Sequence, residues 1–285
     1  MVSGASDPRN PSLSVMALVP FFLITFGLSW GILALFIFLP QPMTTIFGAL
    51  TGQHPLFFLA VYAPAIAAFI LVTRKGGLAG LKRFLARFLL WRTSFGWYGF
   101  LLVGIPLVFY AGAAVQGRPL TGALSFDSPG ALSTAILLMA VKGPVEEFGW
   151  RGLALPLLQR KLAPLWAALI LGVIWGLWHL PAFLLSGTPQ GDWSFAPFFL
   201  GAVAISVIVT PMFNASAGSI LLPAVFHFQL INPVWPEAQP YDTVFLLAVA
   251  VLVVWVHRKE MLCRDAAVTE VIPDARGAEA LRSLG

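Results

Sequence analysis

From Leu13 to Leu39 the chain runs for 27 residues without one charged side chain. A helix needs about 20 apolar residues to cross the hydrocarbon core of a bilayer. Only helices and closed barrels can satisfy their backbone there. The core of a secretory leader is shorter, roughly 7–15 residues, so this run is expected to be retained as a first span. Further apolar runs lie near 56–73, 95–116, 131–158, 164–185, 195–213, 219–235 and 241–257. The expected fold is all-α, a polytopic transmembrane helix bundle of about eight spans. Gly143-Pro144 should kink or break the fourth span. Residues 1–259 are expected to form one transmembrane domain, and 260–285 a polar cytoplasmic tail, frayed or weakly helical. Composition agrees, with 59% hydrophobic and 10% charged residues and a mean hydropathy of +0.87. Soluble domains carry about 25% charged residues.

The net charge of +5 and a pI near 9.7 do not point to nucleic acid, because the basic residues flank the spans. If the N-terminus is cytoplasmic, Arg9, the 74–92 loop, Arg160, Lys161 and the basic tail all lie inside. The outer loops keep only Arg118. This asymmetry implies an even number of spans with both termini cytoplasmic. The 78–92 segment alternates apolar and basic residues at helical spacing. It reads either as an amphipathic helix on the anionic inner leaflet or as a solvated connector. The single cysteine, Cys263, excludes an internal disulfide. His54 and His257 sit at span ends and are expected to be solvated.

Against this apolar background, Glu146, Glu147 and Arg151 are expensive residues. On a helix Glu147 and Arg151 stand at i, i+4 and can form an ion pair. Glu146 is rotated about 100° away and lacks that partner. The two carboxylates therefore differ in setting, and Glu146 is the candidate general base. The alternative is a buried ion pair that only locks helices. His179 and His227 lie on two further spans, and each alone could be bonded to a helix carbonyl. Together the four groups are expected to converge in one polar cavity. Two imidazoles and a carboxylate (His179, His227 and Glu146) can hold a zinc ion that activates water. They can also activate water without a metal. No His-Glu-x-x-His helix and no Gly-x-Ser-x-Gly elbow is present. Attack of activated water on an amide carbonyl is the favoured chemistry.

The run Glu146-Glu-Phe-Gly-Trp-Arg-Gly-Leu-Ala-Leu-Pro156 resembles the Glu-Glu-x-x-x-Arg motif of the CPBP family of intramembrane proteases. These include the type II CAAX prenyl endopeptidases and bacterial bacteriocin-processing or immunity proteins. Trp175-Gly-Leu-Trp-His179 resembles the aromatic-x-x-x-His motif, with tryptophan where phenylalanine is usual. His227 falls where the third motif's histidine is expected, and Tyr62-Ala-Pro-Ala-Ile-Ala-Ala68 looks like a stretch common in bacterial members. The motifs span roughly 140–235. The resemblance implies about eight spans and a cavity open towards the cytoplasm. It also implies a Glu146–His179 pair that activates water, oxyanion stabilisation by His227, and support from Glu147 and Arg151. The implied substrate is a lipidated or membrane-anchored peptide, and the expected location is the bacterial inner membrane. Membrane lipids are the other expected partner. Both a divalent metal such as zinc and no cofactor remain open.

One departure concerns the third motif, which usually has asparagine four residues after the histidine. Here Ile231 occupies that place and Asn232 follows it. Pro233 disfavours helix at Asn232 and can let its amide swing back towards the site. The alternative is that Asn232 only caps the span end. Trp150, Trp175 and Trp178 stand near the motifs and are read as packing. Gln190-Gly-Asp-Trp193 and 233–240 are expected to cap the non-cytoplasmic mouth. Two competing functions remain, a catalytically silent scaffold or immunity factor and an ion-coupled transporter. The transporter reading is disfavoured by the lack of a doubled architecture.

Overall fold

The computed structural model describes residues 12–118, 120, 126–264 and 269–274. Among these every regular element is a helix, with no strand. Helix α1 (Leu18–Phe38) carries the first apolar run. A short helix, Pro55–Val61, leads into α2 (Ala63–Ala86). Phe95–Gly99 and a π-turn at Phe100–Gly104 open α3 (Ile105–Val115). Helix α4 (Pro129–Lys142) approaches the motif, and α5 (Pro164–Trp178) and α6 (Phe195–Ala215) follow it. Helices α7 (Leu221–Leu230) and α8 (Tyr241–Val256) complete the bundle.

Five helical stretches are long and apolar enough to span a bilayer: Val15–Phe38, Ala63–Leu89, Phe95–Val115, Pro164–Leu184 and Phe195–Ala215. Helices α7 and α8 are shorter apolar helices. The protein is an integral membrane protein of the polytopic all-α class. The packed pairs are α1 on α2, α5 on α6, and α8 on both α6 and α3. One core gathers Phe21, Phe84, Trp150, Leu171 and Phe213, and a second gathers Leu101, Ile208, Met212 and Phe226. Outward-facing side chains such as Leu23, Leu107 and Val251 are exposed, as a lipid-facing surface requires.

The predicted fourth span, 131–158, is broken into pieces. Helix α4 ends at Lys142, and a 3-10 turn, Gly143–Glu146, follows. Next come one α-turn, Glu147–Gly149, a π-turn, Trp150–Ala154, and a last α-turn, Leu155–Gln159. Pro144 lacks the N–H that would continue the ladder. π-turns often mark functional positions. The predicted second span also divides, at Tyr62. The 78–92 segment continues α2 past Gly77, whose φ of +62° makes a left-handed break that glycine tolerates. Beyond that break Leu78 and Leu89 are exposed while Phe84 and Arg87 are buried, so the segment is amphipathic but is not a solvated loop.

Part of the tail also departs from the frayed segment expected of it. Val271 and Ile272 are fully buried, and the Val271 carbonyl accepts a bond from Arg87. A few apolar residues in so short a segment give no periodic signal, which is why the sequence hid this docking. Arg9, Arg276 and Arg282, and with them part of the basic tail, lie outside the described residues.

Candidate active site

The irregular winding of 143–154 decides which way each charged side chain points. Glu147 turns into the bundle, 2% exposed, and its Oε1 accepts from Arg151 Nη1 at 3.0 Å. The same oxygen accepts from His227 Nδ1 at 2.7 Å, across from α7. Because a carboxylate can only accept, Nδ1 of His227 carries a proton. Nε2 of His227 is left facing Gly143: a Cβ built on that glycine would lie 2.6 Å from it. Arg151 is 1% exposed and lies with its guanidinium 4.6 Å from the centre of the Trp175 ring. The expected Glu147–Arg151 pair is therefore present, and His227 completes a triad the sequence did not reveal.

Glu146 points elsewhere. It is 4% exposed, and its Oε2 accepts from Trp175 Nε1 at 3.0 Å. Trp175 sits on α5, one turn before His179, which follows the last residue of the helix. His179 Nδ1 lies 2.8 Å from the Trp175 carbonyl, so it donates and leaves Nε2 with a lone pair. The edges of Trp175, Trp178 and Phe198 surround this half-buried ring.

A cavity of about 430 Å³ is lined by Glu146, His179, His227 and Asn232 together. Trp175, Trp178 and Lys142 also line it, whereas Glu147 and Arg151 stand behind its wall. Trp150, read as packing near the motif, is fully buried in the core with its ring centre 5.7 Å from that of Trp178. Asn232 lies just beyond α7. Its Nδ2 donates to Gln229 Oε1 at 2.9 Å, and its Oδ1 accepts from the Val234 N–H at 3.0 Å. Both ends of the amide are thus engaged, one by a side chain of α7 and the other in the turn that follows it. His54 caps the helix that starts at Pro55, and His257 stacks on Trp97. Neither lines the cavity.

Sequence reasoning missed three residues of this region. Trp175 was read as packing, yet its indole N–H holds the candidate base. Lys142 reaches into the cavity, donates to the Gly52 carbonyl at 2.8 Å and lies over Phe57. Asp242, at the start of α8, lines the cavity wall and accepts from the Thr243 N–H. The Tyr62-Ala-Pro-Ala stretch proves to be the motif's backing. The Tyr62 hydroxyl donates to the Val141 carbonyl, and a Cβ at Gly149 would come within 2.5 Å of the Pro64 carbonyl oxygen.

The donor set can be tested against a zinc ion. Among the described residues, no three His, Cys, Asp or Glu side chains stand together as a metal site. His227 Nδ1 is committed to Glu147, and one oxygen of Glu146 to Trp175. The residues as placed do not fit a resident zinc, and no step is derived through one.

The fold and this buried acid–imidazole site define a class: helical membrane proteins that keep ionisable side chains around an internal cavity. Residues 128–231 match the family model described as type II CAAX prenyl endopeptidase Rce1-like, which makes this part of the chain similar to that family. Over 138 residues the chain is 30% identical to CAAX prenyl protease 2 of Methanococcus maripaludis. That stretch covers 46% of this chain and 50% of that protein, so the match spans about half the length of the curated relative.

Proposed function

We propose that this protein is an intramembrane endopeptidase that cuts a membrane-anchored or lipidated peptide by attack of activated water. The observation that carries the reading is the placement of Glu146. Trp175 holds it by one oxygen in the wall of a cavity that His179 and His227 also line. In this reading the other carboxylate oxygen takes a proton from water, and His179 Nε2 orients that water. The developing oxyanion is stabilised by His227 Nε2–H, with the protonated imidazole held by Glu147 through Nδ1. Glu146 then returns its proton to the leaving amine. Arg151 offsets the charge of Glu147 and leaves the cavity to the remaining groups. The name of the methanococcal relative supports a prenylated peptide as one substrate to try.

A second reading, a catalytically silent scaffold, is favoured by the engagement of Asn232 at both ends of its amide. One experiment separates the two: purified protein is reconstituted and offered a lipidated fluorogenic peptide beside the Glu146→Gln variant. Cleavage by the wild type and its loss in the variant are expected. Equal cleavage by both would remove Glu146 from the mechanism.

A further inference from the structure

The two faces of the bundle differ in charge, and the cavity belongs to only one of them. The connectors at one face are tied together: Gly52 N–H donates to the Gly187 carbonyl at 2.9 Å, Lys142 to Gly52, and Gln116 to the Gln239 carbonyl at 3.2 Å. The connectors at the opposite face are tied likewise. Ser219 donates to the Leu90 carbonyl, Arg87 to Gly218 and Val271, and Arg160 pairs with Glu270.

The cavity is lined by helix residues and, among the connectors, by residues of the first set alone. They include Gln190 and Trp193 between α5 and α6, and Pro236 and Glu237 between α7 and α8. None comes from 74–92, 159–163, 214–220 or 257–264. Yet the segments 74–92, 160–161 and 258–264 hold eleven of the chain's seventeen Lys and Arg, whereas the cavity face has Arg118 in a connector and Lys142 at the end of α4. Lys and Arg in short loops mark the cytoplasmic side of a membrane protein. The basic face is therefore cytoplasmic, and the end of the cavity that the connectors border lies opposite it.

We infer that the cavity opens to the non-cytoplasmic side of the membrane, so that its substrate is a membrane-anchored peptide whose scissile bond is presented from that side. The resemblance implies the reverse, a cavity reached from the cytoplasm. The substrate half of the inference rests on the protease reading, whereas the orientation half does not.

The chain carries its own reporter. Cys263, its one cysteine, is exposed on the basic face. In bacterial cells making the full chain, a membrane-impermeant maleimide should label Cys263 only after permeabilisation. With Cys263→Ser in place, Glu237→Cys at the mouth and Ser194→Cys beside it should label in intact cells. Labelling of Cys263 in intact cells, or protection of both introduced cysteines, would overturn the orientation. A second arm uses single-span anchored reporters with the target peptide on one side or the other. Cleavage confined to the non-cytoplasmic reporter is expected. Cleavage confined to the cytoplasmic one refutes the substrate class. If neither is cut, the protease reading and with it the substrate class fail, and the maleimide result still decides the orientation.

Discussion

Gly143→Ala places one methyl group where the site has no room for it. Gly143 has ordinary right-handed helical dihedrals, φ −66° and ψ −45°, so the added Cβ costs nothing in backbone strain. It would instead meet His227 Nε2 at 2.6 Å, Ile231 Cδ1 at 2.7 Å and His227 Cδ2 at 2.8 Å. Ordinary contacts begin near 3.5 Å, so the imidazole must retreat by up to about 1 Å. That retreat stretches or breaks the 2.7 Å bond from His227 to Glu147. Overpacking of this kind costs about 1–3 kcal/mol, and a misplacement near 1 Å costs about a hundredfold in rate. The expected outcome is a lower melting temperature in detergent and about a hundredfold drop in peptide cleavage. Gly130→Ala serves as the control, because the nearest atom to its Cβ, Ser128 Oγ, lies 3.8 Å away. It should leave both readouts unchanged. A Gly143→Ala protein that melts and cleaves like the wild type would refute the placement of His227 against this helix.

Trp175→Phe keeps an aromatic ring beneath Arg151 but removes the N–H that holds Glu146. A hydrogen bond to a charged group is worth about 1.5–3 kcal/mol, so kcat/KM should fall about ten- to a hundredfold; an unchanged value refutes the positioning role. Asn232→Ala distinguishes an amide that holds the turn after α7 from an oxyanion donor. Loss of such hydrogen bonds costs about 1 kcal/mol of stability, whereas loss of an oxyanion donor costs about 10²–10³ in rate. The engaged amide predicts the first without the second, read from melting and turnover together. Glu147→Gln leaves Arg151 buried without its carboxylate, which should destabilise the fold by about 3–5 kcal/mol; a melting temperature equal to the wild type's would exclude that ion pair as a structural element. Arg87→Lys cannot reach three carbonyls at once, and limited proteolysis should cut the C-terminal segment faster than in the wild type. Equal protection would show that Arg87 does not hold it.

Long apolar runs showed the helices, because a spanning helix announces itself by length alone. The Glu147–Arg151 pair was legible from i, i+4 spacing. The order of 3-10, α and π winding at 143–154 was not. Gly143-Pro144 predicts a break but not how the chain rewinds, and the rewinding decides that Glu146 meets Trp175. The contact between His227 and Glu147 joins residues 80 apart in sequence. Local pattern carries no information about such a pair. The convergence of Glu146, His179 and His227 on one cavity was anticipated from the cost of leaving each alone in lipid. The partners that hold them there were not.

Arg87 bears on the order in which the molecule assembles. Its guanidinium bonds to carbonyls of Gly152, Gly218 and Val271, which are made 65, 131 and 184 residues after it. A cation emerging that early has no acceptor waiting, and bare hydrocarbon is a costly place for it. It must stay hydrated while the later helices are threaded in. The basic end of the bundle therefore closes late, and its closure waits until Val271 has been synthesised.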